Sequence, residues 1–116
     1  ITVDKRIIST GYNGTPRGIK NCFDGGCARC ADTTIESGTR LDECWCCHAE
    51  ENAIVQAAYH GISIKGGMIY TTFSPCINCA KLIINAGITK VIYFGEYPQK
   101  GGELLSAAGI GLEKPW

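Results

Sequence analysis

Apolar side chains recur every three or four positions in two stretches, 49–60 and 77–84, and this spacing predicts two amphipathic helices. The first stretch is rich in alanine, which further favours a helix. Short runs of β-branched and aromatic residues at 68–73 and 90–94 predict strands. Because strands and helices alternate here, we expect an α/β layer structure with parallel strand pairs late in the chain.

The two ends of the chain carry shorter signals. Two β-prone runs, 1–3 and 6–10, flank a polar pair and predict a hairpin. Near the other end, a short helix is predicted at 103–108 and a short strand at 110–112. These elements extend the predicted sheet at both ends of the sequence.

Length and charge narrow the class of protein. The chain has 116 residues, 45% of them hydrophobic, which predicts a single domain spanning 1–116. Basic and acidic side chains number 11 each, so the net charge is +0. A protein that binds polymeric nucleic acid needs a basic stripe for the phosphates, and the sequence shows none. A small anionic substrate remains compatible, because it needs only a few local donors.

The sequence shows neither an apolar run long enough to span a membrane nor a secretory signal, which predicts a cytoplasmic location without membrane partners. The chain begins with Ile1-Thr2-Val3 instead of Met, and these residues resemble the end of a strand. We therefore expect the sequence to begin inside a longer chain.

Eight cysteines in a chain of this size indicate either disulfides or metal. Two C-x-x-C pairs favour zinc. One pair lies in a cysteine-rich insertion at about 21–47, where a long irregular loop is expected to be tied down. A closed structural zinc site is predicted there, with disulfides or metal-free thiols as alternatives. Its four ligands are expected to come from Cys22, Cys27, Cys30, Cys44 and Cys46.

A second group of residues predicts a catalytic zinc. His48 and Glu50 stand at the start of the first predicted helix, and Cys76 and Cys79 stand at the start of the second. This H-x-E…P-C-x-x-C pattern is known from zinc-dependent nucleobase deaminases. One imidazole and two thiolates leave a coordination position open for water, and the helix starts should favour thiolate over thiol.

Glu50, two residues from His48, is predicted to shuttle protons between water and substrate. The alternative is a purely structural zinc with four protein ligands, which would not need this carboxylate. The glycine-rich stretch 11–18 is a structured loop. It is either a plain connection, which spacing alone favours, or a ligand loop in which Asn13 and Arg17 supply donors.

Three segments together resemble the deoxycytidylate (dCMP) deaminase family of the cytidine deaminase-like superfamily: 9–18, 47–54 and 74–88. The resemblance implies a three-layer α/β/α fold with a central mixed five-stranded sheet. The family's first helix has no counterpart in this sequence. Since a helix should cover each face of such a sheet, we expect an exposed apolar patch.

The resemblance implies hydrolytic deamination of dCMP to dUMP and ammonia, which supplies dUMP for dTMP synthesis. By matching position, His48, Cys76 and Cys79 hold the catalytic zinc and Glu50 is the proton shuttle. The alternatives are a related enzyme acting on dCTP, free cytidine or deoxycytidine, or tRNA adenosine, and a non-catalytic zinc-binding module.

The resemblance also implies substrate contacts, a second zinc near the insertion, and a homo-oligomer. Activation by dCTP with magnesium and inhibition by dTTP are common in the family, but Tyr59 stands where many regulated members have Arg, which argues against this regulation. The residues expected near the nucleotide are Asn13, Gly14, Arg17, Ala49, Ser74 and Tyr97.

Overall fold

The computed structural model describes residues 1–36, 43–96 and 101–115. The chain divides into two compact units. The larger unit combines Ile1–Tyr12 with Ala49–Trp116, and the smaller unit is Asn13–His48. The predicted insertion at 21–47 falls inside the smaller unit, while the prediction of one domain over the whole chain stays a prediction.

The larger unit begins with the predicted hairpin. Strand β1 is Thr2–Val3 and strand β2 is Arg6–Ile7, and the two pair antiparallel. The turn residues Asp4 and Lys5 have positive φ angles of 52° and 65°. Two-residue hairpin loops require this left-handed backbone, because its twist matches the twist of the strands.

The smaller unit contains two short helical segments that the sequence did not predict. A 3₁₀ turn spans Cys22–Asp24, and helix α1 spans Ala28–Ala31. A helix of four residues is too short to produce a visible periodicity, which is why the pattern indicated only an irregular loop.

The larger unit then continues with alternating helices and strands, close to the predicted boundaries. Helix α2 ends before Gly61, whose φ of 68° is the left-handed conformation expected after a helix. The elements are α2 Ala49–Tyr59, β3 Met68–Phe73, α3 Ile77–Asn85, β4 Lys90–Gly95, α4 Gly101–Ala107 and β5 Gly111–Glu113.

The five strands form one mixed sheet in the order β2-β1-β3-β4-β5. The hairpin joins antiparallel, with Thr2 opposite Met68, whereas β3, β4 and β5 are parallel neighbours. The predicted α/β fold with a central mixed five-stranded sheet is confirmed, as are the parallel pairs late in the chain.

One sheet face forms the hydrophobic core with the helices. Ile69 of β3 and Val91 of β4 face each other across the parallel pair and are 2% and 0% exposed. They share a cluster with Ala53 of α2, Ile83 of α3 and Leu105 of α4. Helix α3 packs against both α2 and α4, so the three helices cover the same face of the sheet.

The opposite sheet face carries the exposed apolar side chains expected from the sequence. Strand alternation and register place Ile7, Tyr70 and Phe94 on this face, at 75%, 54% and 56% exposure.

Across the described residues, none of the helices has the length and apolar character needed to cross a membrane.

Replacing Ile83 by Ala should lower the free energy of unfolding by about 2–5 kcal/mol, because the side chain is 0% exposed and its loss leaves a cavity. Its neighbour Leu82 is 38% exposed, and Leu82→Ala should cost about 1 kcal/mol or less. Urea denaturation of both variants measures the difference. Equal costs would contradict the assignment of Ile83 to the core.

Candidate metal centre and active site

The start of helix α2 supplies one side of the candidate site. His48 is peptide-bonded to Ala49, the first residue of α2, and Glu50 follows in the first helical turn. This turn is where a carboxylate interacts favourably with the helix dipole. His48 and Glu50 are therefore held by a rigid helix end.

The start of helix α3 supplies the other side. Cys76 is the N-cap of α3, and its Sγ accepts a hydrogen bond from the backbone N–H of Cys79 at 3.5 Å. Helix α4 begins directly against this segment. A Cβ on Gly101 would clash with the Pro75 carbonyl oxygen, so only glycine allows this approach.

These two helix ends bring the three predicted zinc ligands together. The ligand atoms of His48, Cys76 and Cys79 all lie within 4.8 Å of one another. The two cysteines are only 7% and 2% exposed, whereas the histidine is half-buried. One imidazole nitrogen and two sulfurs match the donor set of a catalytic zinc site with one open position.

The electrostatics of this group also favour a cation. A hydrogen bond with Cys76, burial, and the negative charges of Cys76 and Glu50 together raise the pKa of Cys79 far above its usual value. Without a metal, the surrounding protein groups therefore favour the thiol form of Cys79, and the thiolate expected at this helix start stays a prediction for the metal-bound site. A divalent cation would offset this accumulation of negative charge.

Strand β3 contributes a residue that the sequence did not single out. The Thr71 hydroxyl donates a hydrogen bond of 2.7 Å to Oε1 of Glu50. Both residues line a cleft of about 480 Å³, a volume typical of small-molecule sites. The cleft is also lined by Ser9, Thr10, Gly11, Ala49 and Tyr70.

Three contacts tie residues 9–12, which include the start of the glycine-rich loop, to helix α2. The Ser9 hydroxyl donates to the Ala53 carbonyl at 2.6 Å, and the Asn52 side-chain amide donates to the Tyr12 carbonyl at 2.8 Å. A Cβ on Gly11 would clash with the Ala49 carbonyl oxygen. A glycine at this position is consistent with a close backbone approach. The sequence did not identify the partner, Ala49, because it lies 38 positions away.

The other predicted substrate residues are spread over the chain. Asn13, Gly14 and Arg17 belong to the smaller unit, where Gly14 pairs with Cys47 through two backbone hydrogen bonds. Tyr97 lies outside the described residues. The Ser74 backbone N–H donates to the Gly95 carbonyl at 2.8 Å, which fixes the end of β3 against β4.

The cysteines of the smaller unit form a second cluster. The sulfurs of Cys22, Cys27 and Cys46 lie within 4.8 Å of one another. Cys27 is fully buried and accepts a hydrogen bond from the Trp45 backbone N–H at 3.2 Å. Cys44 lies 3.9 Å from it, sulfur to sulfur, and the Cys30 side chain is outside the described part of the structure.

The structure joins Cys22 and Cys46 in a disulfide, the alternative that the spacing of the cysteines disfavoured. Two sulfurs bonded to each other are not separate thiolates, so this disulfide and a zinc site that uses both cysteines exclude one another. The predicted set of four zinc ligands stays a prediction for the reduced chain.

Residues 1–95 match the family described as the cytidine and deoxycytidylate deaminase zinc-binding region. The chain belongs to this family of deaminases. The zinc predicted from the histidine and cysteine pattern agrees with the zinc-binding region for which the family is described, and with the two donor clusters in the structure.

Individual relatives narrow the similarity. Deoxycytidylate deaminase of Schizosaccharomyces pombe is 41% identical over 111 residues, which are 94% of this chain and 34% of that protein. Deoxycytidylate deaminase of Enterobacteria phage T4 is 38% identical over an alignment of 138 positions, which covers 90% of this chain and 71% of that protein. The chain thus spans 34% of the length of the Schizosaccharomyces pombe relative.

A solved structure shows the same fold. The dCMP deaminase from the cyanophage S-TIM5 in complex with dCMP and dUMP superposes with a TM-score of 0.77 at 32% identity. The match covers 97% of this chain and 76% of that chain. The predicted resemblance to the dCMP deaminase family is confirmed.

Replacing His48 by Ala should remove about one zinc per chain, because two cysteines alone do not complete a catalytic site. The chain has 2 histidines, which offers a matched control. His60 is exposed at the end of α2 and pairs with Gln56, so His60→Ala should leave the zinc content unchanged. Plasma mass spectrometry of the purified proteins measures the metal. Equal zinc in both variants would contradict the site.

Proposed function

We propose that the protein is a zinc-dependent enzyme that hydrolyses the exocyclic amine of dCMP, giving dUMP and ammonia. The observation that carries the proposal is the convergence of His48, Cys76 and Cys79 near Glu50, which itself lines a cleft. The family match and the relatives named deoxycytidylate deaminase support the same reaction. Its product would supply dUMP for dTMP synthesis.

His48, Cys76 and Cys79 would hold the metal through one imidazole nitrogen and two sulfurs. Zinc, when bound, supplies a Lewis acid that lowers the pKa of coordinated water to about 7. Glu50 accepts a proton from the attacking water at its carboxylate and passes protons to the pyrimidine ring nitrogen and the departing amine. The water oxygen bonds to C4 of cytosine, the C4–N4 bond breaks, and ammonia leaves.

We assign substrate recognition to the cleft and to the glycine-rich loop at residues 11–18. The backbone around Ala49 and Ser74 would meet the pyrimidine edge, and Asn13, Gly14 and Arg17 would meet the sugar and phosphate. Tyr97 is proposed as a neighbour of the nucleotide. The support is that Ser9, Gly11 and Asn52 tie the start of this loop to the helix carrying Glu50.

The cysteine cluster of the smaller unit is proposed as a structural zinc site when its sulfurs are reduced. Buried Cys27 accepts a backbone N–H hydrogen bond, an arrangement that stabilises a thiolate ligand. The ligands would be four of Cys22, Cys27, Cys30, Cys44 and Cys46. A closed tetrathiolate would replace the hydrophobic core that this small unit lacks room for.

Regulation, assembly and location remain predictions. A homo-oligomer is predicted from the family resemblance. Regulation by dCTP with magnesium and by dTTP is common in the family, but it is not predicted for this chain. Tyr59 is 67% exposed on α2, and without the Arg found in many regulated relatives we expect a weak effector response or none. The cytoplasmic location is likewise a prediction from the sequence.

Replacing Glu50 by Gln should lower kcat on dCMP by about 10²–10⁴-fold, because the amide cannot take up and release the proton. Glu51 follows it in the same helical turn, and Glu51→Gln is the matched control that should keep most of the activity. Ammonia release measures both variants. Zinc content and urea denaturation verify that each variant is loaded and folded.

The substrate is tested by the same assay over dCMP, dCTP, deoxycytidine, cytidine and a tRNA stem-loop. We expect dCMP to react with the largest kcat/KM. If only the nucleosides react, the nucleotide assignment is wrong. If nothing reacts and Glu50→Gln changes no measured property, a non-catalytic zinc module is the better description.

The structural zinc predicts about two zinc ions per chain in protein purified under reducing conditions. Cys27→Ser should lower this to about one and should reduce the folding stability of the smaller unit. Thiol titration of denatured, metal-free protein then separates the two chemical states, since the disulfide removes two reactive thiols. One zinc per chain, with Cys27→Ser as stable as the parent, would overturn the second site.

A further inference from the structure

Strand β3 places a threonine hydroxyl where alternation would put an apolar side chain. Ile69 and Thr71 point to the same, helix-covered face of the sheet, and Ile69 is 2% exposed. Thr71 is half-buried and lines the cleft, and its hydroxyl has a protein partner there. The partner of Thr71 is the carboxylate of Glu50, at 2.7 Å from Oγ1 to Oε1.

We infer that Thr71 is a positioning residue that sets the orientation of the Glu50 carboxylate for proton transfer. The inference rests on the proposed deamination and goes beyond it, because Thr71 is neither one of the candidate metal ligands nor the proposed proton shuttle. The contact is a short hydrogen bond to a carboxylate, the stronger class of protein hydrogen bonds.

The two partners differ in rigidity, which decides which one orients the other. Thr71 lies inside a strand, opposite Tyr93 of β4, and its β-branched side chain has few χ1 rotamers. Glu50 has three side-chain torsions, and the last of them is broad. A fixed donor at Oε1 therefore restricts the carboxylate plane, whereas the carboxylate can hardly reorient the strand.

A general base must lie within hydrogen-bonding distance of the proton that it removes, whatever its basicity. Its oxygen must reach the proton of the attacking water and then the ring nitrogen, and small displacements of a catalytic group lower the rate strongly. The fixed donor on β3 and the fixed helix start of α2 hold Glu50 from both ends. This arrangement gives the strand a function in the reaction.

Thr71→Val tests the inference, because it keeps the shape and the β-branching and removes only the hydroxyl. We expect kcat on dCMP to fall on the order of tenfold, the scale seen when a residue supporting a site is lost. The KM for dCMP and the dissociation constant of dUMP should change less than about threefold, since the ground state gains little from this orientation. Thr71→Ser, which restores the donor, should recover most of kcat.

Thr89→Val is the matched control. Its hydroxyl donates to the Gly67 carbonyl at 3.1 Å, before β4 begins, so this exchange also removes a threonine hydrogen bond but not one to Glu50. It should lower the unfolding stability without lowering kcat. If Thr71→Val and Thr89→Val behave alike, or if serine fails to rescue Thr71→Val, the contact is only structural and the inference is wrong.

Crystal structures of the parent and Thr71→Val add a readout besides activity. The carboxylate of Glu50 should rotate away from its parental orientation in the variant, with zinc content unchanged. An unmoved carboxylate would overturn the inference even if kcat falls. If the parent protein deaminates none of the nucleotides, the proposed function fails, while the position of the carboxylate still decides the role of Thr71.

Discussion

Two buried cysteine sulfurs and a glutamate carboxylate meet at the starts of two helices, and the cost of placing their negative charges together is the constraint on which the site depends. The hydrogen bond with Cys76, burial, and the negative charges of Cys76 and Glu50 raise the pKa of Cys79, so the protein groups alone disfavour the thiolate. A divalent cation reverses this preference, because it attracts all of the negative groups at once. The cluster is therefore suited to a metal and poorly suited to a plain hydrophobic core.

Close backbone packing holds the two helix starts in place. Gly101 lets α4 begin against the Pro75 carbonyl, and Gly11 lets the chain pass over the Ala49 carbonyl, at separations that a side chain would prevent. Behind them, the parallel strands β3 and β4 form a stiff support. Strand β3 contributes to the core through Ile69 and to the candidate site through Thr71, which contacts the candidate proton shuttle.

The groups proposed for the reaction and those proposed for the choice of substrate lie in different parts of the chain. Glu50, Cys76 and Cys79 belong to the larger unit, and His48 is bonded directly to it. The side chains proposed to recognise sugar and phosphate, Asn13 and Arg17, lie in the smaller unit with the cysteine cluster. Related deaminases could therefore keep one chemistry and change substrate, since loops tolerate changes that helix starts bearing metal ligands do not.

By itself the sequence determined the order of the main strands and helices and predicted the zinc ligands, because hydrophobic periodicity and ligand spacing are local properties. The mixed sheet followed from the resemblance to the dCMP deaminase family. Only the tertiary structure decided which distant groups meet. The Thr71 hydroxyl on Glu50, Ser9 on Ala53, and the disulfide of Cys22 with Cys46 join residues 21, 44 and 24 positions apart. No period links such positions, and the raised pKa of Cys79 likewise arises from groups that folding brings together and buries.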